Sequence, residues 1–129
     1  MNHKILLLSS SIFYILHKFL FKKDKIFSIL ILFLFISSQL FWINPVKYSL
    51  IHKIDACIVR IVGLFLIVKF LLIKKNLLKI IIFSSISVFL IICCLYSDYF
   101  SSNFWCCYHH ILTHLFVHIF AILCMYFFI

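Results

Sequence analysis

Long apolar stretches, each near or above twenty residues and separated by a few lysines or polar residues, dominate the sequence. They run from Ile5 to Phe21, Ile26 to Ile43, Pro45 to Ile73, Leu77 to Tyr96 and Phe104 to Ile129. A bilayer's hydrocarbon core is about 30 Å thick and takes roughly 20 helical residues at ~1.5 Å each, so these lengths match a membrane crossing. Inside lipid every backbone N–H and C=O needs a partner within the protein, which leaves only helices and closed barrels. The runs are continuous rather than alternating, and one Gly and one Pro supply few of the turns that a barrel requires. The expectation is an all-α, polytopic transmembrane helical bundle, a single integral membrane domain over residues 1–129. Its spans are 5–21, 26–43, 45–73, 77–96 and 104–129, five in all, or four if the first is not retained. That first run, with Lys4 ahead of Ile5–Leu8 and then Ser9-Ser10-Ser11, has some features of a signal peptide but no small-residue cleavage site after it. Asn44-Pro45 has the pattern of an N-cap followed by proline at the first helical position, which predicts that the third helix starts there.

Composition excludes the other classes. With 67% hydrophobic and 12% charged residues, the chain is too apolar for a soluble domain and for disorder. The net charge of +9 is explained by lysines beside the apolar runs, which set orientation, so no nucleic-acid partner is expected. With five spans, Lys18, Lys22, Lys23, Lys25, Lys69, Lys74, Lys75 and Lys79 fall on one side and Lys4, Lys47 and Lys53 on the other. The positive-inside rule then places the Lys-rich loops and the C-terminus in the cytosol. Trp42, Trp105, Tyr99 and Tyr108 gather near the Lys-poor interface as an aromatic belt. Cys57 and Cys124 read as small hydrophobes, whereas Cys93-Cys94 and Cys106-Cys107 leave a disulfide between the pairs open.

Two groups of polar residues break the apolar pattern, and ionisable groups in a span need a partner, a wet cavity or a metal. Ser49, His52 and Asp55 stand three apart, on one helical face. His110 and His114 are four apart, the separation at which two imidazoles of one helix chelate zinc, with His118 a turn further on. Both groups enter from the Lys-poor side, with His52 and His110 each about 10 Å along the predicted helix and Asp55 and His114 each about 15 Å. If those helices are neighbours, His52, His110 and His114 supply three metal ligands with Asp55 beside them.

Ser49-Leu50-Ile51-His52, Lys53-Ile54-Asp55-Ala56 and His110-Ile111-Leu112-Thr113-His114 together resemble the short motifs of a membrane hydrolase superfamily. It comprises alkaline ceramidases, the adiponectin and progestin receptors with haemolysin III, and proteins that remodel GPI lipids. Members usually have seven spans, a Ser four residues before the His, and an Asp well beyond it, so the motifs cover about a tenth of this chain with altered spacing. The resemblance implies a zinc-dependent hydrolase of lipid amide or ester bonds. His52, His110 and His114 would bind zinc, whose charge lowers the pKa of a bound water to about 7. Asp55 would act as proton acceptor or orienting group, and Ser49 as donor to the substrate carbonyl or oxyanion.

Other accounts of the same residues stand beside it. His52 fits an interfacial histidine, Asp55 an ion pair with Lys53 or Arg60, Ser49 a helix cap, and His110 and His114 helix-to-helix hydrogen bonding. The competing functions are a lipid hydrolase, a non-catalytic small subunit or scaffold whose membrane-protein partner supplies further helices, and a metal or proton carrier. Membrane lipids surround the chain under all three.

Overall fold

The computed structural model describes residues 2–72 and 77–127 and is all-α. Its five helices are α1 (Lys4–Leu20), α2 (Lys25–Ile43), α3 (Leu50–Leu72), α4 (Leu77–Asn103) and α5 (Tyr108–Phe127). The expected Lys74-Lys75-Asn76 connection and the end of the last expected span, Phe128-Ile129, lie outside the described residues. Among the described residues three helices, α2, α4 and α5, are long and apolar enough to cross a membrane, fewer than the five expected. The 17 residues of α1 reach about 25 Å at 1.5 Å per residue, short of a ~30 Å core. In α3, Lys53, Asp55, Arg60 and Lys69 put at least three charges into any eighteen consecutive residues.

The chain divides into two compact units. One holds the chain up to Ser9 with α4 and α5; the other holds the remainder of α1 with α2 and α3. In the second unit α2 carries the buried positions Phe27, Ser28, Ile31, Leu34, Ser37, Ser38, Phe41 and Trp42. Its partner α3 runs antiparallel along its whole length. Asp24 pairs with Lys69, Phe27 stacks on Phe65, Ser37 bonds Asp55 and Phe41 stacks on His52. Every one of these pairs is symmetric about Val46 to within half a residue, as an in-register helical hairpin demands. α1 returns along α2 through Ser10 and Ser11 with Gln39, Tyr14 with Phe35, and His17 with Ser28. Asp24 opens α2, its carboxylate accepting the Phe27 N–H at 3.0 Å.

In the other unit α4 and α5 form a second antiparallel hairpin, with Ser87 beside Cys124, Phe89 on Phe120, Ser97 on His114 and Phe100 on His109. Here the centre of symmetry is Trp105. Of the 27 residues of α4 only Ser97 is buried, and Leu77, Ile81, Val88, Phe89, Ile91 and Leu95 are among its exposed apolar side chains.

The helix limits differ from expectation at three places, one of them α5, which begins at Tyr108 rather than Phe104 because Cys107 caps it. α3 begins at Leu50 rather than Pro45, because Ser49 and His52 satisfy backbone donors at that point, while Asn44 ends α2. α4 continues to Asn103, beyond the expected end at Tyr96, so Ser97 to Asn103 is helical and not a loop. Its polar tail is held by Asn103 Nδ2 donating to the Tyr99 carbonyl and by the Phe104 N–H on the Phe100 carbonyl.

Candidate functional site

The first four N–H groups of a helix have no partner within it, and the residues around His52 and His110 satisfy them in the same way. Ser49 Oγ accepts the His52 N–H at 3.1 Å. In return His52 Nδ1 accepts the Tyr48 N–H at 3.0 Å. Tyr48 has a positive φ of 62°, which turns its amide towards the ring. The same arrangement opens α5: Cys107 Sγ accepts the His110 N–H at 3.3 Å, and His110 Nδ1 accepts the Cys106 N–H at 3.1 Å. Cys106 likewise has a positive φ, of 55°. The arrangement is a variant of the capping box in which histidine at the third helical position replaces Glu or Gln and reaches one residue further back. Each ring also lies against an aromatic side chain. His52 stacks on Phe41 with centroids 4.8 Å apart, and His110 lies 5.1 Å from Trp105.

A second polar contact occurs one turn further along each helix. Asp55, 7% exposed, accepts a 2.7 Å hydrogen bond from Ser37 Oγ of α2, so its partner is a serine rather than the expected Lys53 or Arg60. In the other unit His114 Nδ1 lies 3.0 Å from Ser97 Oγ of α4. His118 continues that stripe, its Nδ1 2.7 Å from Ser9 Oγ. The rings of His110 and His114 are 6.0 Å apart and those of His114 and His118 5.1 Å.

The chemistry of the donors bears on a metal. A backbone N–H can only donate, so Nδ1 of His52 and of His110 is the acceptor and the neutral ring carries its proton on Nε2. Zinc at Nε2 requires that proton to move to Nδ1 and the amide bond to be given up. Within either unit, among the described residues, no three His, Cys, Asp or Glu side chains are arranged to hold a metal ion. Ser49, His52 and Asp55 belong to one unit and His110 and His114 to the other. Each set has its own partners.

Beside the Ser37–Asp55 contact, α2 and α3 leave an apolar groove of about 150 Å³, lined by Phe33, Ile36, Ser37, Leu40, Ile51, Ile54 and Ile58. Outside the apolar helices, burial and then the neighbouring Cys107 push the Cys106 thiol above its ordinary pKa, which makes it a poor nucleophile. All six cysteines are thiols.

Sequence reasoning identified Ser49, His52, Asp55, His110, His114 and His118 but not Ser37, Ser97 and Ser9, the partners of Asp55, His114 and His118, nor the cap on Cys107. The available signal was symmetry: once a hairpin is centred on Val46, Ser37 is the residue that faces Asp55. Comparison with protein-family models, curated proteins and solved structures yields no match to the chain.

Proposed function

We propose that this chain is a five-span integral membrane protein with its Lys-rich ends and C-terminus in the cytosol. Its polar residues join helices, and it serves as a non-catalytic small subunit or scaffold of a membrane assembly. The observation that carries this reading is the pair of matching caps, in which His52 and His110 each spend Nδ1 on a backbone amide. The contacts of Asp55, His114 and His118 with serines extend it, since side-chain hydrogen bonds between helices join van der Waals packing in holding membrane bundles together once hydrophobic burial no longer discriminates. Five spans are supported by the end-to-end pairing of α2 with α3 and by the return of α1 along α2. If α2 crosses, the hairpin carries its neighbours with it. The exposed apolar surface of α4 supports contact with lipid or with partner helices.

A second reading, the zinc-dependent lipid hydrolase, draws support from the His110–His114 ring separation of 6.0 Å and from the apolar groove beside Asp55. It requires His52 and His110 to leave their caps. One experiment separates the two: metal analysis of protein purified in mild detergent, with His110→Ala and His114→Ala alongside. The scaffold reading expects no stoichiometric zinc and variants that lose stability. One zinc per chain, lost in both variants while the helical content holds, would replace it with the hydrolase.

A further inference from the structure

We infer that the Lys-rich end of the α1–α2–α3 unit is a binding surface for anionic phospholipid headgroups. Three chain segments meet there: the last turn of α1, the 21–24 connection with the first residue of α2, and the last turn of α3, the last two being tied together by the Lys69–Asp24 ion pair. They bring five ammonium groups, Lys18, Lys22, Lys23, Lys25 and Lys69, against the single carboxylate of Asp24. Asp24 is already committed to Lys69 and to the Phe27 amide. Asp24 is the only acidic residue before Asp55 in the sequence, and the other four lysine side chains are all exposed.

The positions of two of these cations go beyond an orientation signal. Lys18 Nζ lies over the Tyr14 ring at 4.8 Å from its centroid, and Lys23 Nζ over the Phe19 ring at 4.8 Å. Tyr14 and Phe19 are themselves exposed on α1. With this end of the unit at the bilayer surface, such rings suit the boundary between acyl chains and headgroups, and lysines above them reach phosphate height while their apolar stems run along the helix. A cation held in that way has lost part of its side-chain freedom before any lipid arrives. Headgroups with a net negative charge fit this surface, because a zwitterionic headgroup brings its own cation and gains little from four more.

The inference rests on the integral-membrane reading. The test reconstitutes the full chain into phosphatidylcholine vesicles carrying trace spin-labelled phosphatidylserine or spin-labelled phosphatidylcholine, and measures the motionally restricted fraction of each label. A lysine near an anionic membrane surface contributes about a fivefold preference. We expect phosphatidylserine to be enriched severalfold, and the Lys18→Gln/Lys23→Gln double variant to lose most of that enrichment. Lys47→Gln/Lys53→Gln, at the other end of the same unit, should keep it, and inorganic phosphate at millimolar concentration should not compete. Equal restriction of both labels overturns the inference. So does equal loss in the two double variants, which marks only diffuse charge, and so does competition by phosphate, which marks a site for soluble anions. A chain stripped from the vesicles by alkaline carbonate overturns the membrane reading and this surface together. A chain that resists stripping but shows no preference overturns the surface alone.

Discussion

Exchanging the two capping atoms tests whether the α3 and α5 openings are one device. The geometry is shared, with a residue at positive φ, a capping side chain, and a histidine three positions later whose Nδ1 accepts a backbone amide. The difference is the capping atom, oxygen at 3.1 Å from the amide nitrogen in Ser49 and sulfur at 3.3 Å in Cys107. A hydroxyl oxygen is a good acceptor and a thiol sulfur a weak one. Replacing a Ser cap by Ala costs about 1 kcal/mol, so a sulfur that retains about half the bond places Cys midway. The expected order at both positions is Ser, then Cys, then Ala, with steps of about 0.5 kcal/mol. Cys107→Ser should therefore stabilise and Cys107→Ala destabilise, while Ser49→Cys costs about half of Ser49→Ala. Reversible unfolding in mixed dodecyl maltoside and dodecyl sulfate micelles, followed by far-UV circular dichroism, reads each step as a shift in midpoint. If Cys107→Ser and Cys107→Ala behave alike, or if the order reverses between the two sites, the amide of His110 is not capped by residue 107 and the shared device is refuted.

Three further outcomes follow from neighbouring geometry. Cys106→Gly should stabilise by up to ~1 kcal/mol in the same assay, because a non-glycine residue at positive φ costs about 1–2 kcal/mol and glycine returns part of this as unfolded-chain entropy. Ser37→Ala should cost about 1–2 kcal/mol by leaving the buried Asp55 carboxyl without its donor, whereas Asp55→Asn, whose amide oxygen still accepts from Ser37, should cost less. For Asp24, burial alone would raise the pKa, but the hydrogen bond and charge of Lys69 and the amides of Phe27 and Ile26 outweigh it and hold the carboxyl below its ordinary value. A depressed folded-state pKa adds stability above the unfolded value, near 4, which is lost as pH falls through the lower folded one. Asp24→Asn keeps the cap and removes the charge, so the gap between wild type and variant should be full at neutral pH and close below about pH 4.

How much could be read from sequence divides along a physical line. Apolar run length reports immersion, and it located α2 within one residue of its start and placed the start of α4 at Leu77. Helix ends depend on which side chains reach which orphan amides. Asn44-Pro45 offered a plausible start for α3, but Ser49 with His52 satisfies two backbone donors at Leu50, and the helix begins there. Ser97 to Asn103 looked like a loop because it is polar, yet a helix can leave the hydrocarbon region and continue, and here Asn103 caps its own preceding turn. The partners of Asp55 and His114 were hidden because Ser37 and Ser97 are unremarkable in an apolar run until the hairpin's centre is known.

The same distinction governs the histidines. Spacing shows that His110 and His114 share a face, which suits chelation and helix joining equally well. What separates the two uses is which nitrogen bears the proton, and that depends on atoms absent from any motif: the Tyr48 and Cys106 amides, turned inward by positive φ. An amide aimed at Nδ1 favours the Nε2–H tautomer, and a ring in that form has no lone pair left at Nε2 for a cation. His114 differs, since Ser97 can donate to its Nδ1 or accept from it by rotating one hydroxyl. A metal entering the α5 stripe would therefore find His114 adaptable and His110 committed. His110→Ala should accordingly cost cap stability, about 1–2 kcal/mol from one amide bond and one aromatic contact. His114→Ala should cost nearer the ~0.6 kcal/mol average of an interhelical hydrogen bond. Midpoint shifts of equal size would show that the α5 cap contributes nothing beyond ordinary packing.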